Sequence, residues 1–404
     1  MDKKNISNYS IVKTLLNILL KNRWIQIVII NLTGNNTLLM IKFLDIYKQD
    51  KVLHKSILQS IKKLFKNGDF ILGKEVEKFE INFAKFCGSK YSISCGNGTD
   101  ALTIALKVLN LPNDSEVIIP AMTYCSTAFA VLNANLKPVL VDTEYLTPTI
   151  NIEDLKKKIT KKTRVILPVH LYGSVVNINS IKKIVKNKDI FIIDDCAQAH
   201  GAYNILKKSK NERVGSLSDI SCFSLYPGKN LGAYGDAGII TTNNKKFYNS
   251  IRKIRNLGSE KKFLHDCVGV NSRLDTIQAI ILNKKLTKLN TINKNRQKIA
   301  ELYNKLIINK KIILLKYSKS CVYHQYVILT KERNNLIKKF NEKGIQYGFH
   351  YPFALHQLKV FKKFFKDKNF SNAEQLAREG ISIPIDPNLS KKDVYYVIQT
   401  LNEF

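Results

Sequence analysis

The stretch SDISCFSLYPGKNLGAYGDAGIITT, residues 218–242, sets two short apolar runs on either side of a loop rich in Gly, Pro and Ala, with Lys229 in its middle. Apolar runs bounded by such punctuating residues read as strands, so Lys229 lies on a tight turn at a strand end. The turn is not a P-loop: Phe223 stands where that motif has glycine and Asn230 where it has Ser or Thr. It is not a dinucleotide fingerprint either, because glycines 232, 235 and 238 are evenly spaced by three. A lysine crowded by Tyr226, Pro227 and Leu231 is partly desolvated, which favours its neutral, nucleophilic amine. Schiff-base chemistry follows from that placement.

Working outward, KYSISC, EVIIP, KPVLVD, TRVILPVH and DIFIIDD repeat the short apolar pattern, and segments with helical spacing such as TDALTIALKVLNL and NSIKKIVKNK lie between them. Alternating strands and helices predict an α/β fold with a large, mainly parallel sheet. Polar residues gather at the ends of the apolar runs, where ligands collect in such sheets: Asn97, Thr99, Tyr124, His170, Asp195, Gln198, Ser224 and Lys229. Beyond about residue 290 the pattern changes to Lys-rich helices, KIILLKY, HQYVILT, and then helix and loop. The expected division is an extension at 1–39, a large domain at 40–290 and a smaller α+β domain at 291–404.

The formal charge of +33, from 65 Lys and Arg against 32 Asp and Glu, raises the question of nucleic acid. The lysines are spread along the whole chain among Asn and Ile, and no recognition motif accompanies them, so a solvated basic face is expected and no nucleic-acid partner. Seven separated cysteines without a CxxC pair read as reduced thiols, which places the chain in the cytoplasm. The apolar stretch at 11–32 is interrupted by Lys21, Asn22 and Arg23 and has no signal-peptide cleavage pattern. It reads as a surface-bound amphipathic helix, a packed tail, or residues upstream of a start at Met40, with no stable membrane insertion.

A pyridoxal phosphate site needs a carboxylate for the pyridine nitrogen, donors for the phosphate and a flat surface for the ring. Asp194 and Asp195 close IIDDCAQAH, GNGTDALTIAL opens a helix whose N-terminus suits a phosphate, and Tyr124 in PAMTYCS offers a ring face. Taken singly, each of these is an ordinary cap or core residue; their joint presence around one lysine is the signal. No metal is expected.

From Met40 to Phe404 the chain resembles the fold-type-I, pyridoxal-phosphate-dependent DegT/DnrJ/EryC1/StrS sugar aminotransferases, through FILGKEVEKFE, CGNGTDAL, VIIPAMTYCSTAFAVLNANLKPVLVD, IIDDCAQAHGA, CFSLYPGKNLGAYGDAG and GVNSRLDTIQAIIL in family order. The resemblance implies that Lys229 bonds the cofactor covalently, Asp195 meets the pyridine nitrogen, Gln198 touches the ring hydroxyl and Tyr124 stacks on the ring. It assigns the phosphate to Gly98, Thr99, Asp100 and Ser224, with Asn271 reaching in from the second subunit of a homodimer. It implies amino transfer from L-glutamate to a nucleotide-linked keto sugar. SLYPGKNLGAYGD and GFHYPFALHQLKVFKKF are similar to members acting at C-3 of dTDP-linked 3-keto-6-deoxyhexoses. C-4 transamination and sugar dehydration, the latter carried by relatives with histidine in place of the lysine, are the alternatives within the family. A basic nucleic-acid-binding protein or a membrane-associated scaffold are those outside it. Tyr226, His350, Tyr351 and His356 either line the sugar site or pack a domain interface. Ala237 and Val270 depart from the family's usual glycine and tyrosine.

Overall fold

The computed structural model describes residues 40–203, 212–261, 263–365 and 369–404. The apolar stretch at 11–32 lies outside the described residues. Seven strands form the central sheet: β1 (Tyr91–Cys95), β2 (Glu116–Pro120), β3 (Lys137–Val141), β4 (Thr163–Ile166), β5 (Phe191–Asp195), β6 (Ile220–Ser224) and β7 (Gly238–Thr242). Their order is β1-β7-β6-β5-β4-β2-β3, parallel throughout except for β7, which runs against both neighbours. The α/β expectation therefore holds.

Alternate residues of each strand serve opposite faces, as the two-residue period requires. Ile93, Val117, Val165, Ile193, Cys222 and Ile240 join one apolar cluster, and Ile118, Ile166, Ile192, Phe223 and Ile239 join the other. Both faces are covered by helices, which explains why the strands read as continuous apolar runs rather than alternating ones. TRVILPVH is strand only to Ile166. Two residues on, Pro168 has no N–H to continue the ladder.

The reversal of β7 positions the lysine loop. Residues 225–237 leave the carboxyl end of β6, turn and come back beside it, with Ser224 opposite Gly238. Leu225 N donates to Ala237 O (2.8 Å), Ala233 N to Leu225 O (2.8 Å) and Lys229 N to Tyr226 O (2.9 Å). Lys229 thus sits on a loop tied at its base and in its middle.

A second, three-stranded antiparallel sheet follows: β8 (Ile313–Leu314), β9 (Tyr326–Leu329) and β10 (Gly380–Ile383) in that order. Its core contains Tyr303, Tyr326, Ile328, Phe340, Ile383 and Val397, joined by Ile41 from the far end of the described chain. GISI at 380–383 reads from the sequence as helix or loop, yet it is strand. Four residues after a helix are too few to show a period, and only pairing with β9 fixes their state.

Candidate active site

A cleft of about 720 Å³ opens at the carboxyl ends of β5 and β6 and over the N-termini of two helices, α1 (Gly98–Lys107) and α2 (Cys125–Asn133). Eleven of the residues singled out from the sequence line it: Asn97, Gly98, Thr99, Asp100, Tyr124, Asp195, Gln198, Ser224, Tyr226, Lys229 and Tyr351. Two close approaches bring the walls together. A Cβ on Gly98 would lie 2.6 Å from Ser224 Cβ, and one on Gly238 would lie 2.3 Å from Asn97 O. Glycine at these positions lets the α1 turn pack directly on the end of β6 and the start of β7.

Asn97 caps α1, its Oδ1 accepting from Asp100 N at 2.8 Å. The free donors of that helix end are then the Gly98 and Thr99 N–H groups, which an anion can take together with the Ser224 hydroxyl. Asp100 has no donor left. Its carboxylate accepts from Ser272 Oγ (2.6 Å) and Asn97 Nδ2 (3.1 Å), so it braces the turn. Thr99 Oγ1 donates to Ser126 Oγ at 2.8 Å across the gap between the two helices.

Asp195 is buried, and its two oxygens are held separately: Oδ2 accepts from Thr127 Oγ1 (2.9 Å) and Oδ1 from Ala197 N (3.0 Å). Burial raises its pKa, against the pull of those two donors and of Lys229. Burial lowers Lys229 to about 8, with the Asp195 carboxylate opposing the fall. Much of the lysine is therefore neutral near pH 8, as a nucleophile or proton carrier must be. Gln198, also buried, accepts from Tyr172 N at Oε1 (2.6 Å) and donates from Nε2 to Tyr351 Oη (2.9 Å). The rings of Tyr124 and Tyr351 lie 5.4 Å apart.

Three anticipated residues stand elsewhere. His356 bonds Glu374 Oε1 through Nε2 (2.9 Å) and packs on Phe370, while His350 pairs Nδ1 with Ser382 Oγ (2.8 Å) and stacks on Phe43. Asn271 is exposed beyond the cleft, next to Ser272, whose hydroxyl accepts from Gly96 N at 2.9 Å. Asp194 turns from the cleft to His170, with Nε2 3.1 Å from its Oδ2; His170 Nδ1 accepts from Val176 N, so Nε2 carries the proton. Residues that sequence reasoning passed over are Ser126 and Thr127, one helical turn from Tyr124, and Asp236 at the rim. The hydroxyls of PAMTYCST were in plain sight, but which of them reaches Asp195 depends on how α2 docks.

The donor set fits pyridoxal phosphate: a desolvated lysine, a buried carboxylate held by two donors that favour its anion, a helix N-terminus with two free N–H groups and a hydroxyl, and an aromatic ring at the mouth. Such a set, on a mainly parallel sheet with a second small sheet, defines a fold-type-I pyridoxal-phosphate-dependent aminotransferase. Within that class the chain belongs to the DegT/DnrJ/EryC1/StrS aminotransferase family, whose sequence profile matches residues 51–402. It is 40% identical, over 90% of its own length and 99% of the relative's, to the dTDP-3-amino-3,6-dideoxy-alpha-D-galactopyranose transaminase of Aneurinibacillus thermoaerophilus. It is 34% identical, over 90% and 99%, to the UDP-2-acetamido-2-deoxy-3-oxo-D-glucuronate aminotransferase of Pseudomonas aeruginosa. Among solved structures, that of Streptomyces venezuelae DesV in complex with a ketimine intermediate matches with a TM-score of 0.86 and 32% identity, covering 90% of this chain and 98% of that one. Among the described residues no helix is long and apolar enough to cross a membrane.

Proposed function

We propose that this aminotransferase moves an amino group from L-glutamate to the C-3 keto group of a dTDP-linked 3-keto-6-deoxyhexose. The observation that carries the chemistry is the meeting of Lys229 and Asp195 in one cleft with their pKa values displaced toward each other. The sugar assignment rests on the resemblance of the lysine loop and of residues 348–364 to C-3 enzymes, and on relatives whose names specify 3-amino or 3-oxo sugars.

Bound in the cleft, pyridoxal phosphate supplies an electron sink for the carbon that loses its proton. The Gly98 and Thr99 N–H groups and the Ser224 hydroxyl would hold the phosphate. Asp195, oriented by Thr127 and Ala197, would stabilise a protonated ring nitrogen, Gln198 would donate to the ring oxygen, and Tyr124 would cover one face. Lys229, once its amine is free, would take the proton from the donor's α-carbon at Nζ and deliver it to the cofactor's exocyclic carbon within the same half-reaction, and would carry the reverse transfer onto the sugar carbon in the second.

Asn271, exposed and outside its own cleft, is assigned to the phosphate of a second subunit. Exposed Phe70, Ile71 and Leu72 supply apolar surface for that homodimer. The other readings of the chain, as a nucleic-acid-binding protein or a membrane-associated scaffold, have no observation in the cleft to favour them. The test is the visible spectrum of the protein with pyridoxal phosphate before and after L-glutamate. The lysine-dependent band converts on glutamate addition in the wild type, never forms in Lys229→Ala, and is restored in the wild type by the 3-keto sugar nucleotide. A protein that binds no cofactor, or whose band ignores every amino acid, overturns the proposal.

A further inference from the structure

Tyr172 is buried, bulky and not glycine, yet its backbone is left-handed, with φ 58° and ψ 6°, in the turn that follows β4. Such a conformation is unfavourable for a large side chain and persists only when the surroundings hold it. Here both ends of the residue are held. Its N–H donates to Gln198 Oε1 at 2.6 Å, and its phenol donates to the backbone oxygen of His350. Burial raises the phenol's pKa, so the hydroxyl keeps the proton it donates.

The backbone N–H of Tyr172 cannot accept. It therefore settles which end of the Gln198 amide is which: Oε1 faces Tyr172, and Nε2 faces the cleft and Tyr351. One Nε2 hydrogen goes to Tyr351 Oη at 2.9 Å, leaving the second for a ligand oxygen. Because Tyr351 Oη accepts that bond, its own proton is free for the cleft that it lines. Residues 350 and 351 are thus tied to the large sheet through Tyr172 and Gln198. They are tied to the small sheet through Gly348 and Ser382, whose N–H and C=O groups exchange bonds of 3.0 and 2.8 Å, and through His350 Nδ1 with Ser382 Oγ.

We propose that Tyr172 is a positioning residue: from its left-handed turn it orients the Gln198 amide and clamps the 348–351 segment of the small sheet over the cleft, so that the Tyr351 hydroxyl donates into the substrate site. The part that concerns bound cofactor rests on the aminotransferase reading above; the clamp does not.

The test uses full-length wild type, Tyr172→Phe, Tyr351→Phe and the double variant. Backbone hydrogen exchange of residues 348–351 without cofactor speeds about tenfold in Tyr172→Phe, the factor carried by one net hydrogen bond. With pyridoxal phosphate bound, the midpoint of the pH-dependent change in the visible band shifts in each single variant. The double variant shifts no further than the larger single one, because both changes break the same chain. Should Tyr172→Phe be poorly folded, Gln198→Leu removes both the acceptor for Tyr172 N–H and the donor to Tyr351 Oη, and reproduces the faster exchange. Unchanged exchange at 348–351 in both Tyr172→Phe and Gln198→Leu, or additive shifts in the double variant, overturns the inference and leaves Tyr172 a core residue whose loss only lowers Tm. If the wild type shows no band with pyridoxal phosphate, the aminotransferase reading fails, and the exchange result alone decides the clamp.

Discussion

Gly98→Ala tests how the phosphate end of the cleft is built. The added Cβ would lie 2.6 Å from Ser224 Cβ, 3.0 Å from Ser224 Cα and 3.2 Å from Ser224 Oγ, so the obstacle is partly backbone and cannot rotate away. Restoring ordinary contact requires the α1 turn and the β6 end to separate by roughly 1 Å, and overpacking of this kind costs about 1–3 kcal/mol. The separation falls between the helix N–H groups and the Ser224 hydroxyl, the two sources of donors proposed above to share one phosphate. If most of that cost appears as lost phosphate contact, the Kd for pyridoxal phosphate rises about tenfold to a hundredfold, at about 1.4 kcal/mol per factor of ten. The control is Gly228→Ala, beside the lysine itself. Its Cβ would meet nothing nearer than Leu44 Cδ2 at 3.7 Å, an ordinary contact, and its Kd should stay within about threefold of wild type. Absorbance titration of both variants with cofactor decides the matter. Equal affinities for the two, or a larger loss in Gly228→Ala, would refute the close-approach argument, since position next to Lys229 would then matter more than space.

With Lys229 lowered to about 8, the free amine gains population as pH rises through that value, so the rate at which cofactor-free protein combines with pyridoxal phosphate should climb between pH 7 and 9 with a midpoint near 8. A midpoint near the ordinary lysine value would show that the amine is not desolvated. Thr127→Val removes one of the two donors that lower the Asp195 pKa. The carboxyl should titrate higher, cofactor affinity should fall, and Tm should drop as well, because an unmatched buried acceptor costs about 1–3 kcal/mol in the cofactor-free protein; isothermal titration reads the affinity and calorimetry the Tm. Lys285 and Asp50 form a buried pair at 2.8 Å, and burial lowers the lysine's pKa. The native state thus binds fewer protons than the unfolded chain between the two lysine pKa values, so this group makes stability increase as pH rises through the depressed native value. Asp50→Asn leaves the ammonium buried without its counter-charge and should destabilise by about 3–5 kcal/mol, whereas Asp50→Leu with Lys285→Met should lose far less, as read by calorimetry.

How much of this was legible depends on what each feature needs. The strands flanking Lys229 required only short apolar runs and turn residues, and β1 to β7 appear where those runs stand. Lys229, Asp195, Gln198 and Ser224 were legible because each closes a strand or the turn after it, and strand ends share one rim in a parallel sheet. His350 and His356 sit in a stretch as rich in aromatic and histidine residues as any site. Whether a ring faces a cleft or packs on Glu374 or Phe43 is decided by docking, which no local spacing records. The same holds for Asp100, which looks like part of a phosphate turn but has its N–H occupied by Asn97 and its carboxylate by Ser272, a residue 172 positions away. Tyr172 was invisible for a different reason: nothing in HLYG announces that the tyrosine, rather than the glycine after it, already adopts a left-handed backbone.

The pairing of Asp195 with Lys229 sets two demands against each other. Burial pushes the acid up and the base down, so both drift toward neutral forms, whereas the chemistry needs a neutral lysine beside an ionised carboxylate. Attraction between the two cannot supply that combination, because it would hold the lysine charged as firmly as the carboxylate. The asymmetry comes from hydrogen bonds: Asp195 receives donors from Thr127 and Ala197 that stabilise its anion without touching the amine. On the proposed reading Asp195 would face a protonated ring nitrogen as its counter-charge, which would leave the lysine free to lose its proton. On this argument Thr127 controls the lysine as well as the acid. In Thr127→Val the pair moves toward a neutral acid and a still lower amine pKa, because the Asp195 charge that opposes the fall is weakened. The midpoint for cofactor combination should therefore shift below that of the wild type, in the direction opposite to the shift of the acid.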